Sequence, residues 1–423
     1  MGWIFESFLQ GITGFGVPVA VGAPLLIGIG VKPMWAVIIP LLGQSWGNTF
    51  GTLAAAWDAL VMSAGISSGS KEYLITAFWT AHFYLVLESD YRHNHLLVLR
   101  EKGRPSAKDF LPVLLLSLVQ GGGELLLTQV NTTIACFVPA CISLIVILLL
   151  GRLPGYKQEW SVRDSRVMDR EKSAEKGEVK PEGMTLIHAF VPYFSSLRDR
   201  ADRASGGAGT YIAWQSADRI FFSGDGHGYG YVNEAVASFF TLDAIYTCKY
   251  VPVCVGRHRD DLLQEKGWIV SGGIGRIFLR AVSMTMPSGM AIIGLVIMSK
   301  IMAGTGQTEV LANGIAGVLG KVYVIFSPFI GLLGSFMTGS NMSSNILFAG
   351  FQSTTANLLD VHSAIVLGAQ SSGASIGSAL SPSNIVLGTT TANILGKRRK
   401  GAQKDYCDYC SGSVDDWCIC TGA

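Results

Sequence analysis

The 423 residues carry 32 Lys and Arg against 30 Asp and Glu, a formal charge of +2, so no net field exists to gather nucleic acid or an acidic partner. Charged residues make up 15% of the chain, where a soluble domain has about 25%, and a mean hydropathy of +0.39 leaves too little polarity for disorder. The 51 glycines follow no G-X-Y period, which excludes collagen, and what remains is a membrane protein.

A spanning helix needs about 20 mostly apolar residues to cross about 30 Å of hydrocarbon. The first such run, 12–30, has no basic segment ahead of it, which predicts a retained span and not a cleaved signal. Gly14, Gly16, Pro18, Gly22 and Pro24 crowd it. The run 33–57 follows, with Asn48 inside it and Asp58 at its end. A shorter run, 73–88, holds His82 beside Trp79, Phe83 and Tyr84, where an aromatic belt explains the histidine as well as a proton relay does. Next come 110–128, interrupted at Gly121-Gly122-Gly123-Glu124, and 131–151, in which Cys136 and Cys141 are small hydrophobes. Basic residues from Arg92 to Lys108 and from Arg152 to Lys180 flank these two runs, which predicts that both connectors are cytoplasmic. The second, 152–183, also carries acids and reads as a solvated linker. Further spans are expected at 281–303, at 322–337 and, in two pieces, at 361–395.

Thr338, Gly339, Ser340, Asn341, Ser343, Ser344 and Asn345 form a polar cluster just before Ile346. Backbone groups released at such a place cannot face lipid unsatisfied, so they are buried in protein or line a wet cavity. A lone glycine pair such as Gly373 and Gly377 points instead to close helix packing. The expected fold is all-α, a polytopic transmembrane helical bundle with discontinuous helices.

The chain resembles the L-lactate permease family. The resemblance is carried by Phe8-Leu9-Gln10-Gly11-Ile12-Thr13-Gly14-Phe15-Gly16-Val17-Pro18, where the family usually has Glu in place of Gln10, and by Gly272-Gly273-Ile274-Gly275-Arg276. It continues through Pro328-Phe329-Ile330-Gly331, Gly334 to Asn341, Ser344 to Phe348, and Leu380-Ser381-Pro382. What it implies is an inverted-repeat secondary transporter, multi-pass in the plasma membrane, moving lactate or glycolate by proton symport and using no cofactor. On this resemblance 1–151 is a first half that lacks the family's earlier spans, 152–183 the linker and 184–396 a second half. Apolar character is lost at about 196–228, about 241–263 and in the tail 397–423, with family-like islands between, the pattern that shifts of reading frame produce.

A hydroxy acid needs positive potential for its carboxylate, and half-helix N-termini supply it without burying a full charge. Thr13, Gly14, Phe15 and Gly16 in the first half, and Thr338, Gly339, Ser340, Asn341, Ser344 and Asn345 in the second, are the expected binding residues, followed by Asn48 and Gln370. For proton coupling Glu124 is the first candidate, a carboxyl within the membrane, with Asp58, Glu6 and His82 behind it. The tail spacing Cys407-x-x-Cys410 and Cys418-x-Cys420 is a poor zinc pattern, and no metal is expected. The alternatives are a sodium-coupled dicarboxylate or other anion carrier, an intramembrane enzyme using Ser340 or Ser344 with His82, and a fragment that does not transport.

Overall fold

The computed structural model describes residues 2–14, 16–99, 107–154 and 304–392, with isolated residues and short pieces between 156 and 302. The chain divides into two compact units, Met1–Gly177 with Gln307–Ala423 and, separately, Glu178–Gly306. In the second unit two short antiparallel pairs are nested: β1 (Ile220–Phe222) with β4 (Val236–Phe239), and β2 (Asp225–Gly226) with β3 (Val232–Asn233). Most of the expected span 281–303, nearly all of the linker 152–183 and the whole tail 397–423 lie outside the described residues.

The first unit is helical throughout its described residues, and the class is all-α. Its first half holds α1 (Ile4–Ile12), α2 (Val17–Gly28), α3 (Pro33–Gly43), α4 (Gly51–Ala64) and α5 (Lys71–Leu99). It continues with α6 (Ala107–Ser117), a π-helical turn at Leu118–Gly122, α7 (Gly123–Thr128) and α8 (Phe137–Leu150). Beyond the second unit come α9 (Gln307–Leu319), α10 (Tyr323–Thr338), α11 (Asn341–Leu358), α12 (Ser363–Leu380) and α13 (Pro382–Thr391). Among the described residues three helical stretches are long and apolar enough to cross a membrane, Leu111–Thr128, Thr132–Leu150 and Gln307–Thr338. Leu114, Leu118, Leu126, Leu148 and Leu149 are exposed on the first two, as lipid-facing residues are.

The interruptions follow from residue type. Gly14 and Gly16 both take positive φ, +57° and +80°, between α1 and α2, and Pro18 is pre-shaped for the first turn that follows. Gly339, at φ +76°, ends α10, and Ser340 caps α11 by accepting from the Ser343 N–H at 3.4 Å. The break in the second half is therefore only Gly339 and Ser340. Of the rest of the expected polar cluster, Thr338 is the last residue of α10, and Asn341 to Asn345 open the regular helix α11. A third interruption lies inside α4, where Thr52, Leu53 and Ala54 form a left-handed turn at φ +52°, +56° and +66°. The short expected run 73–88 is part of a 29-residue helix, because the chain stays helical past the point where it stops being apolar. Close packing joins α10 to α12: a Cβ on Gly331 would fall 2.1 Å from the Gln370 carbonyl oxygen, and one on Gly373 2.1 Å from that of Pro328. Gly377 sits equally close to Leu332, as the G-x-x-x-G spacing predicts.

Candidate functional site

The helix breaks meet around the start of α13. A Cβ on Gly16 would lie 2.4 Å from Leu387 and 3.9 Å from Asn384 Oδ1, and one on Gly339 would lie 2.3 Å from Ser383 Oγ. Asn384 Nδ2 donates to the Gly339 carbonyl at 3.0 Å and to the Ser378 carbonyl at 2.7 Å. The starts of α2, α11 and α13 thus lie next to one another. Of their first N–H groups, Val17 donates to the Gly14 carbonyl and Ser343 and Asn384 to capping serines, while Pro18 and Pro382 carry none; the helix dipoles add partial positive charge at each start. None of the three helices contains Lys or Arg, so this potential comes from backbone alone.

Behind the breaks lies a buried polar network. Asn341 Nδ2 donates to Thr49 Oγ1 at 2.9 Å and to Ser375 Oγ at 2.8 Å. Asn345 Nδ2 donates to the Ala56 carbonyl and to Ser371 Oγ, both at 3.0 Å. Thr49 Oγ1 lies 2.5 Å from the Tyr84 hydroxyl and 2.7 Å from Ser371 Oγ, and Tyr84 also bonds Ser375. Ser375 Oγ donates to the Ser371 carbonyl at 3.0 Å, so it accepts from Tyr84, which accepts from Thr49, which accepts from Ser371. This arrangement of protons satisfies every contact and commits every hydroxyl proton. What it leaves over are two acceptors, Asn341 Oδ1 and Asn345 Oδ1, buried and without partners among the described residues. The network can take an O–H donor or a cation. Its amide nitrogens are already engaged, so it offers no free amide donor to an anion.

A second layer connects outward. Gln370 Nε2 donates to Ser344 Oγ at 3.2 Å and Ser344 Oγ to the Gly331 carbonyl at 2.9 Å. Gln352 Nε2 donates to Gln370 Oε1 at 2.9 Å, and its own Oε1 accepts from Tyr323. From α1, Gln10 Nε2 donates to Asn48 Oδ1 at 3.0 Å, and Asn48 Nδ2 to Ser378 Oγ at 2.9 Å.

Of the residues expected from sequence, Gly16, Gly339, Ser340, Asn341, Ser344, Asn345, Asn48 and Gln370 belong to this assembly. Gly14 faces Thr52, whose Oγ1 a Cβ there would meet at 1.7 Å. The Thr13 and Thr338 hydroxyls bond carbonyls of their own helices, Leu9 and Gly334, each at 2.8 Å. Phe15 lies outside the described residues. Glu124 is buried, 2% exposed. Asp58 is exposed. His82 stacks on Phe78 with centroids 6.0 Å apart and meets Trp79 edge-on, the aromatic-belt setting. Neither Ser340 nor Ser344 bonds it. Sequence reasoning missed Thr49, Tyr84, Ser371, Ser375, Gln352 and Asn384. Ser371, Ser375 and Ser378 recur at helical spacing on one face of α12, a stripe that the sequence does display. Among the described residues no group of three or more His, Cys, Asp or Glu is placed to hold a metal.

A family profile described as L-lactate permease matches residues 1–195 and 269–404. A glycolate permease of Escherichia coli is 27% identical over 431 residues, covering 94% of this chain and 72% of its own. An L-lactate permease of Halalkalibacterium halodurans is 25% identical, covering 94% of this chain and 72% of its own, and the L-lactate permease of Bacillus subtilis is 21% identical with 93% and 72% covered. No solved structure matches the chain.

Proposed function

Because this chain belongs to the L-lactate permease family, we propose that it carries L-lactate, or the related 2-hydroxy acid glycolate, across the plasma membrane together with a proton. The family is one of membrane permeases and not of enzymes. The observation that carries the reading is the meeting of the α2, α11 and α13 starts at Gly16, Gly339 and Asn384. Uncommitted N–H groups there attract the carboxylate of the substrate. The substrate's hydroxyl donates to Asn341 Oδ1 or Asn345 Oδ1, which otherwise remain buried without a donor. One small molecule with an anionic end and an O–H one carbon away thus satisfies both halves of the site. For proton coupling the reading assigns Glu124, a buried carboxyl within the apolar stretch Leu111–Thr128. In this reading 152–183 is the cytoplasmic linker between the two halves of the transporter, 1–151 and 184–396.

The same two amide oxygens also suit Na⁺, which keeps sodium coupling as a second reading. Uptake of labelled L-lactate by proteoliposomes separates the two. Proton symport predicts accumulation under an inward proton gradient in the absence of Na⁺, and collapse on addition of a protonophore. Accumulation that needs a Na⁺ gradient and ignores the proton gradient supports the second reading instead.

A further inference from the structure

α1 carries a buried carboxyl for which the site described above has no use. Glu6 is 1% exposed and lies against two glycines of neighbouring helices. A Cβ on Gly22 of α2 would fall 1.8 Å from Glu6 Oε1 and 3.0 Å from Oε2, and one on Gly43 of α3 would fall 3.3 Å from Glu6 Cβ. A side chain at 22 would displace the carboxyl from this place. Its Oε2 has no hydrogen-bond partner among the described residues. One helical turn further along α1, Gln10 is 2% exposed, and its Oε1 is likewise buried without a partner. Residues four apart lie on one helix face, so α1 carries two orphan acceptors one turn apart in a low-dielectric setting. A proton on Glu6 removes the cost of a buried charge and turns its carboxyl into a donor.

The elements packed on α1 are α2, α3, α4, α8 and the turn Gln44–Gly47. Their ionisable side chains are Asp58, which is exposed, and the half-buried Cys141. The Cys136 thiol, just ahead of α8, donates to the Ser7 carbonyl at 3.6 Å. No charged side chain of the described residues therefore neutralises Glu6. Gln10 in turn donates to Asn48 and Asn48 to Ser378, so the state of this corner is tied by hydrogen bonds to the helix that lines the breaks.

We propose that Glu6 is a proton-binding site of the transport cycle, loaded when Gln10 Oε1 needs a donor and emptied when the α1–Asn48–Ser378 chain rearranges. The inference rests on the proton-symport reading, and its test is chosen to fail separately from it. The full chain and its Glu6→Gln variant are compared in proteoliposomes for lactate accumulation under an inward proton gradient and for lactate–lactate exchange, which needs no net proton movement. The amide holds the corner in its protonated hydrogen-bonding form. The expected result is a loss of about tenfold or more in driven accumulation, with exchange kept within about twofold. Accumulation by Glu6→Gln equal to that of the unsubstituted chain overturns the proposal. If exchange falls as well, Glu6→Asp decides: recovery of driven accumulation supports the site, and continued loss overturns it. If the unsubstituted chain neither accumulates nor exchanges lactate, the symport reading fails. The infrared band of a protonated carboxyl in the purified protein then tests Glu6 directly, since its disappearance in Glu6→Gln supports proton binding and its persistence overturns it.

Discussion

Thr49 is the residue on which the polar network turns, since its one hydroxyl accepts from Asn341 and Ser371 and donates to Tyr84. Thr49→Val keeps the shape and removes all three bonds, leaving an amide hydrogen and a hydroxyl proton buried without acceptors. The expected cost is about 1–3 kcal/mol, read as a lower unfolding temperature in detergent, with lactate uptake lost. Thr338→Val is the control. That hydroxyl donates to the Gly334 carbonyl of its own helix and to the Ser340 carbonyl, and accepts a long bond from the Ser340 N–H at 3.4 Å, all local to the helix end, so stability falls by about 0.5 kcal/mol or less. Equal effects in the two variants would contradict the assignment of the network to Thr49. The contrast also marks what the residues themselves disclose. Asn48, Asn341, Asn345 and Gln370 stand out as amides in apolar runs, whereas Thr49, Ser371 and Ser375 are single hydroxyls of a kind that any membrane helix tolerates. Their importance lies in the residues they meet, 322 positions away in the case of Thr49 and Ser371, and that no local pattern records.

At the scale of elements, two kinds of glycine do different work. Those of α10 and α12 set the distance between two helices. Gly373→Ala drives a methyl to 2.1 Å from the Pro328 carbonyl oxygen and forces the pair apart, an overpacking cost of about 1–3 kcal/mol that thermal unfolding measures. Those at 14, 16 and 339 permit a left-handed backbone; the first break was legible from its glycines and prolines, the second from its polar cluster, though that cluster overstated its length. The turn at Thr52–Ala54 was not, because Thr, Leu and Ala give no sign that three successive residues will be left-handed. That conformation costs L-residues about 1–2 kcal/mol each. Ala54→Gly therefore raises stability by about 1 kcal/mol, where the same change in an ordinary helix interior lowers it by a similar amount. A lower melting temperature for Ala54→Gly would show that the turn is not left-handed. The full length of α5 was hidden for the opposite reason: hydropathy reports where lipid ends, and Glu88, Asp90 and Arg92 continue the helix beyond it.

For the molecule as a whole, composition sufficed to place the chain in a membrane, and the residues around the breaks sufficed for the family, whose profile matches both sides of 196–268 and leaves that segment out. The breaks at 13–16 and 338–345 were expected to share one site; the part played by the start of α13 was beyond the sequence. Gly16 and Asn384 belong to helices at opposite ends of the chain, and their proximity is a product of tertiary packing. The central claim is that these helix starts hold a carboxylate while the Asn341 and Asn345 oxygens take the neighbouring hydroxyl. The most direct measurement is competition for labelled L-lactate uptake in proteoliposomes by two near-isosteres, glycolate, which keeps both groups, and lactamide, which keeps the hydroxyl and loses the charge. The account predicts strong inhibition by glycolate and little by lactamide. Equal inhibition by the two would mean that the helix starts do not recognise the anion.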